Sequence, residues 1–216
     1  MAERVKRSYH SPRRREQAEA TRRAMLDAAQ RLFERDGFAA TTVSAIAAEA
    51  RVSTKTVYLA FDSKSGVLRA LWNVRLRGDD GEAPVAAREW YLEVLDESDP
   101  ERQLRLNARN ARAVKTRLGA VMNVVRTAAA ADPDAAVLWE RIQTEFYANQ
   151  REIVETLHRK GALRHGLDVA QATDILWTLN HPDVWLLLVG ERAWSPARFE
   201  RWLGDAFCAQ LLPSTG

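Results

Sequence analysis

The sequence predicts an all-α protein built from two helical parts. Apolar side chains recur at intervals of three and four residues, which is the spacing of one face of an α-helix. Beyond Pro84 there is neither the period-two alternation nor the hairpin signal that strands would give. Four prolines stand in the first turn of a predicted helix, where proline costs least: Pro100, Pro133, Pro182 and Pro196.

The first predicted helix extends from about Arg15 to Asp36 and supports the two that follow it. Its apolar positions keep helical spacing: Met25, Ala28, Ala29, Leu32 and Phe33. Gly37 accepts the left-handed conformation that ends many helices, and Phe38 is expected to fold back on the last turn.

The segment 41–64 fits two short helices around a tight turn. Ile46 and Ala47 share one face of the first helix, and Val57 and Phe61 share one face of the second. Two helices that cross steeply must approach closely at Ala47, so its small size matters more than its hydrophobicity. This arrangement is a helix-turn-helix.

The second short helix is expected to direct a polar face outward. Ser53 can cap it by accepting from its free backbone N–H groups. The outward residues are Thr54, Lys55, Thr56, Tyr58 and Leu59. Threonine hydroxyls and methyls, a lysine donor and a leucine all suit base edges in a DNA major groove. Thr54, Lys55, Thr56 and Leu59 are therefore predicted to contact bases.

Further helices are predicted along the rest of the chain. The pair Asp62-Ser63 caps a helix from about Lys64 to Arg77, which joins the two parts, and residues 78–84 break the pattern. The remaining helices are predicted near 86–97, 100–115, 117–131, 134–160, 168–180, 182–190 and 196–212.

Composition limits the class of protein. With 216 residues, 46% of them hydrophobic, the chain can bury a sizeable core in one or two domains. Residues 1–64 hold 13 Lys or Arg against 8 Asp or Glu, whereas the remainder holds 19 against 21. Positive charge is thus concentrated beside the helix-turn-helix, as a DNA-binding protein requires.

Residues 1–15 are predicted to form a disordered basic arm. They contain one acid, Glu3, and six basic residues: Arg4, Lys6, Arg7, Arg13, Arg14 and Arg15. Such an arm beside a helix-turn-helix is expected to contact phosphates or a minor groove of DNA. The alternative is a tail that only improves solubility.

No signal for catalysis, metal binding or membrane insertion was found. The chain lacks a serine nucleophile elbow, an HExxH motif and a phosphate-binding glycine loop, and the pair His158 and His165 has no further ligand at metal-binding spacing. The single cysteine, Cys208, excludes an internal disulfide framework. We expect a cytoplasmic protein that is not an enzyme, uses no cofactor and binds no membrane.

The helix-turn-helix segment resembles the amino-terminal signature of the TetR family of transcriptional regulators. The matching positions are Gly37, Thr41-Thr42-Val43, Ile46-Ala47, Val52-Ser53, Tyr58 and Phe61-Asp62-Ser63-Lys64. The resemblance implies a DNA-binding domain over 16–63 and a helical effector-binding and dimerisation domain over 64–216. It also implies phosphate contacts by Thr42, Tyr58 and Lys64.

Several positions depart from the family pattern. Arg51 occupies a turn position where the family often has glycine, and a nearby phosphate would offset the strain of a left-handed side chain. Arg51 and Ser53 are also predicted to contact phosphates. Gly66 replaces an acidic residue that often completes a capping box with Ser63. Leu59-Ala60 replaces a polar pair. For Tyr58 the alternative is a half-buried core aromatic.

The carboxy-terminal helices of the family usually form a four-helix bundle with a partner chain. The apolar residues predicted for that interface are Ile175, Leu179, Trp185, Leu188, Phe199, Trp202, Leu203 and Phe207. The alternative is ordinary core packing. A two-fold dimer would set two recognition helices in successive major grooves and read a palindromic operator.

A small-molecule pocket is predicted among the middle helices. The polar or aromatic residues assigned to it are Asn107, Asn110, Phe146, Asn149 and Trp177. Buried amides among apolar walls orient a ligand; alternatively, the asparagines face solvent or pair with each other. The predicted function is a ligand-responsive repressor that binds DNA as a homodimer. The alternatives are a nonspecific or architectural DNA-binding protein, or an activator.

Overall fold

A computed structural model describes residues 12–78 and 85–213, in which every regular element is helical. The all-α prediction is confirmed. The α-helices in these residues are α1 Pro12–Ala40, α2 Val43–Glu49, α3 Thr54–Phe61, α4 Lys64–Arg77, α5 Glu89–Asp96, α6 Pro100–Leu118, α7 Val121–Ala129, α8 Pro133–Arg159, α9 Val169–Leu179, α10 Pro182–Trp185 and α11 Pro196–Leu211. The chain divides after Leu71, within α4, into two compact units.

The amino-terminal unit contains α1, α2, α3 and the start of α4. Gly37 interrupts α1 with φ 79° and ψ 165°, so the regular helix ends where the sequence predicts. Ile46 and Ala47 on α2 are buried, as are Val57 and Phe61 on α3. These side chains form a core with the buried face of α1, which fixes the angle between the two short helices.

The start of α1 corrects the prediction of a basic arm over 1–15. Arg13, Arg14 and Arg15 lie in the helix and are exposed, because Pro12 suits a first helical turn and Arg15 pairs with Glu19 one turn later, at 3.7 Å. The other predicted arm residues, Arg4, Lys6 and Arg7, lie outside the described residues.

The carboxy-terminal unit is a helical bundle in which α6 packs against α5 and α11, and α8 packs against α7 and α9. Side chains of Asp99, Asp132, Asp168 and Ser195 cap α6, α8, α9 and α11. Two predicted helices differ in detail. A short 3₁₀ turn, Val85–Ala87, precedes α5, and α10 continues into a wider π-helical segment, Leu186–Glu191.

Helix α11 buries one row of side chains in its own chain. Phe199, Leu203 and Phe207 are each 0% exposed on the face that packs on α6, and Trp185 lies edge-on against Phe199 with ring centroids 4.9 Å apart. These four residues belong to the core and not to a surface open to a partner, which corrects the interface prediction. Periodicity alone does not distinguish a core row from an interface row. The remaining predicted interface residues, Ile175, Leu179, Leu188 and Trp202, are partly exposed.

Candidate DNA-binding surface and ligand cavity

The turn between α2 and α3 is tight and held by main-chain hydrogen bonds. The N–H of Arg51 donates to the carbonyl of Ala48 at 3.1 Å, and the N–H of Val52 donates to that of Ala47 at 2.9 Å. Arg51 has φ 56°, the left-handed conformation predicted for this position, and its side chain is exposed. A non-glycine residue there costs about 1 kcal/mol, and the conformation leaves a positive charge on the outer side of the turn.

Hydroxyl side chains begin both short helices. Thr42 Oγ1 accepts from the N–H of Ala45 at 3.1 Å, and Ser53 Oγ accepts from the N–H of Thr56 at 3.1 Å. The predicted cap at Ser53 is confirmed. Both residues are exposed at a helix N-terminus, where free N–H groups and the helix dipole attract an anion. Such a position suits the phosphate contacts predicted for Thr42 and Ser53.

The outer face of α3 carries the residues predicted to contact bases. Leu59 is 77% exposed, Lys55 is exposed, and Thr54 is half-buried. The hydroxyl of Thr56 is hydrogen-bonded to Ser53 Oγ at 2.8 Å, so it belongs to the cap of the helix. Tyr58 is 49% exposed, which leaves its phenol accessible from outside.

Lys64 has an internal role that the sequence did not indicate. Its ammonium donates to the carbonyl of Phe38 at 2.7 Å and lies 4.2 Å from the centroid of the Phe38 ring. The break at Gly37 leaves carbonyls at the end of α1 without helical partners, and a cation is a suitable donor to them. Lys64 therefore fastens the start of α4 to the end of α1, in addition to any phosphate contact.

A cavity of about 130 Å³ lies within the carboxy-terminal unit. Its walls are mainly apolar and aromatic, with contributions from Trp72, Trp90, Phe146, Leu118 and Met122. Asn107, Asn110, Phe146 and Asn149 all line it, four of the five residues predicted for a pocket. A mainly apolar cavity with a few polar groups is the usual form of a small-molecule site.

The fifth predicted pocket residue, Trp177, is not among the lining residues. It packs against His181 and Tyr147, with ring centroids 4.8 and 6.4 Å away. Two predicted asparagines also have structural bonds. Asn110 Nδ2 donates to the carbonyl of Trp90 at 2.7 Å, and the backbone carbonyl of Asn149 accepts from the Tyr91 hydroxyl at 3.0 Å.

Sequence reasoning missed Lys115, a cavity-lining residue that is 5% exposed. Its Nζ donates to Asn180 Oδ1 at 2.5 Å, and Asn180 Nδ2 donates to Gln150 Oε1 at 3.2 Å. Burial lowers the pKa of Lys115 to about 7, because the apolar surroundings disfavour the charged form. The sequence does contain an indication that Lys115 is buried, because Lys115 lies in the apolar row of α6 with Ala111 and Leu118.

Two further polar atoms at the cavity have no hydrogen-bond partner. They are Asn107 Nδ2, on a side chain that is 6% exposed, and Gln143 Oε1. Buried polar groups are normally paired, so unpaired ones in a cavity wall are candidates for ligand contacts. Within the ranges 12–78 and 85–213 no group of three or more His, Cys, Asp or Glu is arranged to hold a metal, and no helix is long and apolar enough to cross a membrane.

Helix α3 has an exposed outer face and an inner face that packs in the core of the amino-terminal unit. This arrangement defines the chain as a helix-turn-helix DNA-binding protein. The model of the tetR family of bacterial regulatory proteins matches residues 25–71, which cover α2, α3 and most of α1. Residues 25–71 therefore form a DNA-binding domain of the TetR type, and this family and the curated relative of the chain are transcriptional regulators, not enzymes.

Similarity to known proteins extends over most of the chain. The chain is 28% identical to the uncharacterised HTH-type transcriptional regulator YdeS of Bacillus subtilis (strain 168) over 172 residues, which are 77% of this chain and 79% of the relative. The SmeT–triclosan complex superposes with a TM-score of 0.70 at 22% identity, covering 91% of this chain and 93% of that one. NalD, the secondary repressor of the MexAB-OprM multidrug efflux pump in Pseudomonas aeruginosa, gives 0.68 at 21% identity, covering 90% and 98%.

Proposed function

We propose that this regulator is a cytoplasmic, ligand-responsive repressor that binds a palindromic operator as a homodimer. The observation that carries the proposal is the presence, in one chain, of an exposed recognition helix and of a cavity with unpaired polar groups in the other unit. A ligand that favours the state unable to bind DNA would release the operator by shifting the population.

For DNA reading we assign base contacts to Thr54, Lys55 and Leu59, all on the outer face of α3. Thr56 stays in this group through its methyl, because its hydroxyl is engaged in the cap. Phosphate contacts are assigned to Thr42, Arg51, Ser53, Tyr58 and Lys64. The exposed Arg13, Arg14 and Arg15 at the start of α1 add positive charge for the same polyanion.

For dimerisation we assign the partly exposed apolar residues of α9 and α11, namely Ile175, Leu179 and Trp202, with Leu188 and the 51% exposed Leu187 between those helices. Exposed apolar side chains on neighbouring helices suit the core of a homodimer interface. Trp202→Arg should convert the dimer to a monomer in light scattering, whereas Arg201→Ala, one position away and exposed, should not. A variant Trp202→Arg that remained dimeric would reject this surface.

The neighbours in fold support a ligand in the cavity. SmeT was solved with triclosan, and a protein from Saccharomonospora viridis, similar at a TM-score of 0.67 and 19% identity over 90% of this chain and 98% of that one, was solved with choline. We do not propose a quaternary ammonium here, because a buried lysine would repel it. The assigned domains are a DNA-binding unit and an effector-binding and dimerisation unit, with their boundary inside α4.

The experiment is to incubate purified protein with fragments of the host genome at physiological salt and to sequence what it retains. A palindrome with half-sites about 34–36 Å apart, or a multiple of that spacing, supports a specific dimer. Retention without a shared sequence would instead support nonspecific DNA binding. Transcription from a recovered operator with and without the protein then distinguishes repression from activation.

A further inference from the structure

The cavity contains a buried amine that lacks an opposite charge. Lys115 Nζ has one hydrogen-bond partner in the described structure, the neutral Asn180 Oδ1, and no carboxylate lies within ion-pair distance of it there. An ammonium group has three donors, so two are unused in this arrangement. A buried cation without a counter-ion is costly and is rarely retained for packing alone.

The acids nearest to the cavity are already engaged elsewhere. Glu145 lines the cavity, but it is exposed and its carboxylate lies 3.7 Å from Arg141. Glu152 accepts a hydrogen bond from the Tyr91 hydroxyl at 2.8 Å. That bond and burial raise the pKa of Tyr91, so Tyr91 stays neutral. Within residues 12–78 and 85–213, therefore, no acid supplies an anion to Lys115.

A second unused donor belongs to the same helix. Asn107, two turns before Lys115 on α6, lines the same cavity, and its Nδ2 is buried without a partner. Lys115 has one acceptor, Asn180 Oδ1, and Asn107 Nδ2 has none, while the unpaired acceptor Gln143 Oε1 lies in the same wall. Of these groups the buried amine is the one that can become charged, so the ligand group that suits it best is a charged acceptor such as a carboxylate.

The rest of the wall determines the body of the ligand. Trp72, Trp90 and Phe146 line the cavity, and the Phe146 ring centroid lies 6.0 Å from Lys115 Nζ. These rings require an apolar body beside the charged group. We propose that the effector is an apolar molecule carrying one carboxylate, which accepts a hydrogen bond from Lys115 Nζ. This assignment rests on the proposed function of the cavity as the effector site.

Binding of such an acid should draw a proton into the protein. With its pKa lowered to about 7, Lys115 is mostly neutral at pH 8 in the free protein, and a bound carboxylate would restore its charge. In the part of the chain that the structure describes, the other titratable groups facing this region are His181, Glu145 and Tyr91. Burial lowers the pKa of His181, and Lys115 lowers it further, so His181 does not compete for that proton at pH 8.

The test is isothermal titration calorimetry at pH 8 without DNA. The probes are octanoate and 3-phenylpropanoate, each compared with its neutral amide, in phosphate and in Tris, which differ in ionisation enthalpy. We expect at least one acid to bind about tenfold tighter than its amide, as a charge-assisted hydrogen bond allows. Binding of the acid should take up close to one proton.

Variants assign the effect to its atoms. Lys115→Met should bind the acid and the amide equally, without proton uptake. Asn107→Asp, which leaves Lys115 in place and adds a negative charge to the same cavity wall, should weaken the preference for the acid by repelling a bound carboxylate. Glu145→Gln, a neutral change at another lining residue, should retain that preference. Circular dichroism of each variant checks that the bundle is folded.

Several results would overturn the inference. These are equal binding of acid and amide by the parent protein, no binding of either acid, or proton uptake that persists in Lys115→Met. Failure here is distinct from failure of the proposed function, because operator capture from genomic fragments is measured separately. A palindrome recovered by a protein that ignores both acids would keep the repressor proposal and reject the carboxylate.

Discussion

The two units place the same side chain in opposite settings. Lys55 stands exposed on the recognition helix, where water solvates its charge until a partner arrives. Lys115 is 5% exposed inside the helical bundle, where its one partner is neutral. DNA offers a line of many phosphates to a surface cation, and salt screens each contact. A buried ammonium instead needs a few acceptors at fixed positions, and those contacts are hardly screened.

The difference shows how burial divides the roles of charged residues in this protein. In the amino-terminal unit, the polar groups proposed to contact DNA also cap the helices from outside, as Thr42 and Ser53 do. In the carboxy-terminal unit, polar groups interrupt the core. Substitutions should therefore affect folding and recognition together in the first unit, whereas in the second they should increase stability and reduce ligand preference.

The largest effect is expected at the corner between α3 and α4. A Cβ added at Gly66 would lie 1.8 Å from the backbone carbonyl oxygen of Phe61, so Gly66→Ala must displace main chain. We expect a loss of about 3 kcal/mol, confined to the amino-terminal unit. Hydrogen exchange should show lost protection in α2 and α3 and retained protection in α6 and α8.

The matched control is Gly190→Ala, since nothing lies within 4 Å of a Cβ added there and its φ is not positive. That change should leave exchange in both units unaltered. If Gly66→Ala is as stable as the parent protein, the corner is looser than the structure indicates. Equal loss of protection in both units would show that the two units do not respond separately.

The next effect concerns Lys115 and has a defined dependence on pH. Its pKa falls from 10.5 in the free side chain to about 7 in the folded state. Between these values the unfolded chain binds more protons, so the stability of the parent protein rises with pH. The cost of burying the charge is complete below about pH 7 and fades as the pH approaches 10.5.

Lys115→Met removes that cost, although it leaves Asn180 Oδ1 without its donor. We expect the variant to be more stable than the parent at pH 6 and to lose the advantage by pH 10, a change of roughly 3 kcal/mol in urea unfolding. Lys55→Met, exposed on α3, is the control and should differ from the parent equally at both pH values. A difference for Lys115→Met that is independent of pH would mean that Lys115 is charged and well compensated in the folded state.

The smallest effect tests the intermediate case. Lys64 is half-buried, and its ammonium donates to the carbonyl of Phe38. Lys64→Met should lower the free energy of unfolding of the amino-terminal unit by about 1–2 kcal/mol in the absence of DNA. Lys55→Met should leave that stability unchanged and weaken DNA binding. If the two variants are equally stable, Lys64 does not stabilise the amino-terminal unit, and phosphate contact is the one role left for it.

Local features of the fold could be predicted from the sequence, because their causes lie within a few residues. Ser53 caps α3, Arg51 adopts the left-handed turn, and Gly37 ends the regular part of α1, each by chemistry confined to one turn. The interruption of α10 by a π-helical segment has no such local signal. A periodic pattern also gave helix positions in the carboxy-terminal unit to within a few residues.

Long-range packing could not be predicted, because periodicity identifies the apolar face of a helix but not the element that covers that face. Phe199 and Leu203 were expected to meet a partner chain, yet α6 covers them. Trp177 was expected in the cavity, yet it packs beside it. The asparagines are predicted to line the cavity because they are polar residues in apolar rows, whereas Lys115, in one of those rows, is not among the predicted residues.

Gly66 has a consequence for laboratory evolution of this protein. In a library that varies the whole helix-turn-helix and the start of α4, most members would fail to fold because of this one position. Every residue other than glycine brings the same Cβ against the Phe61 carbonyl oxygen. Diversity is better spent on Thr54, Lys55 and Leu59, whose side chains are not part of the buried mount. A search for altered operator preference should therefore keep residues 61–66 fixed and randomise the outer face of α3.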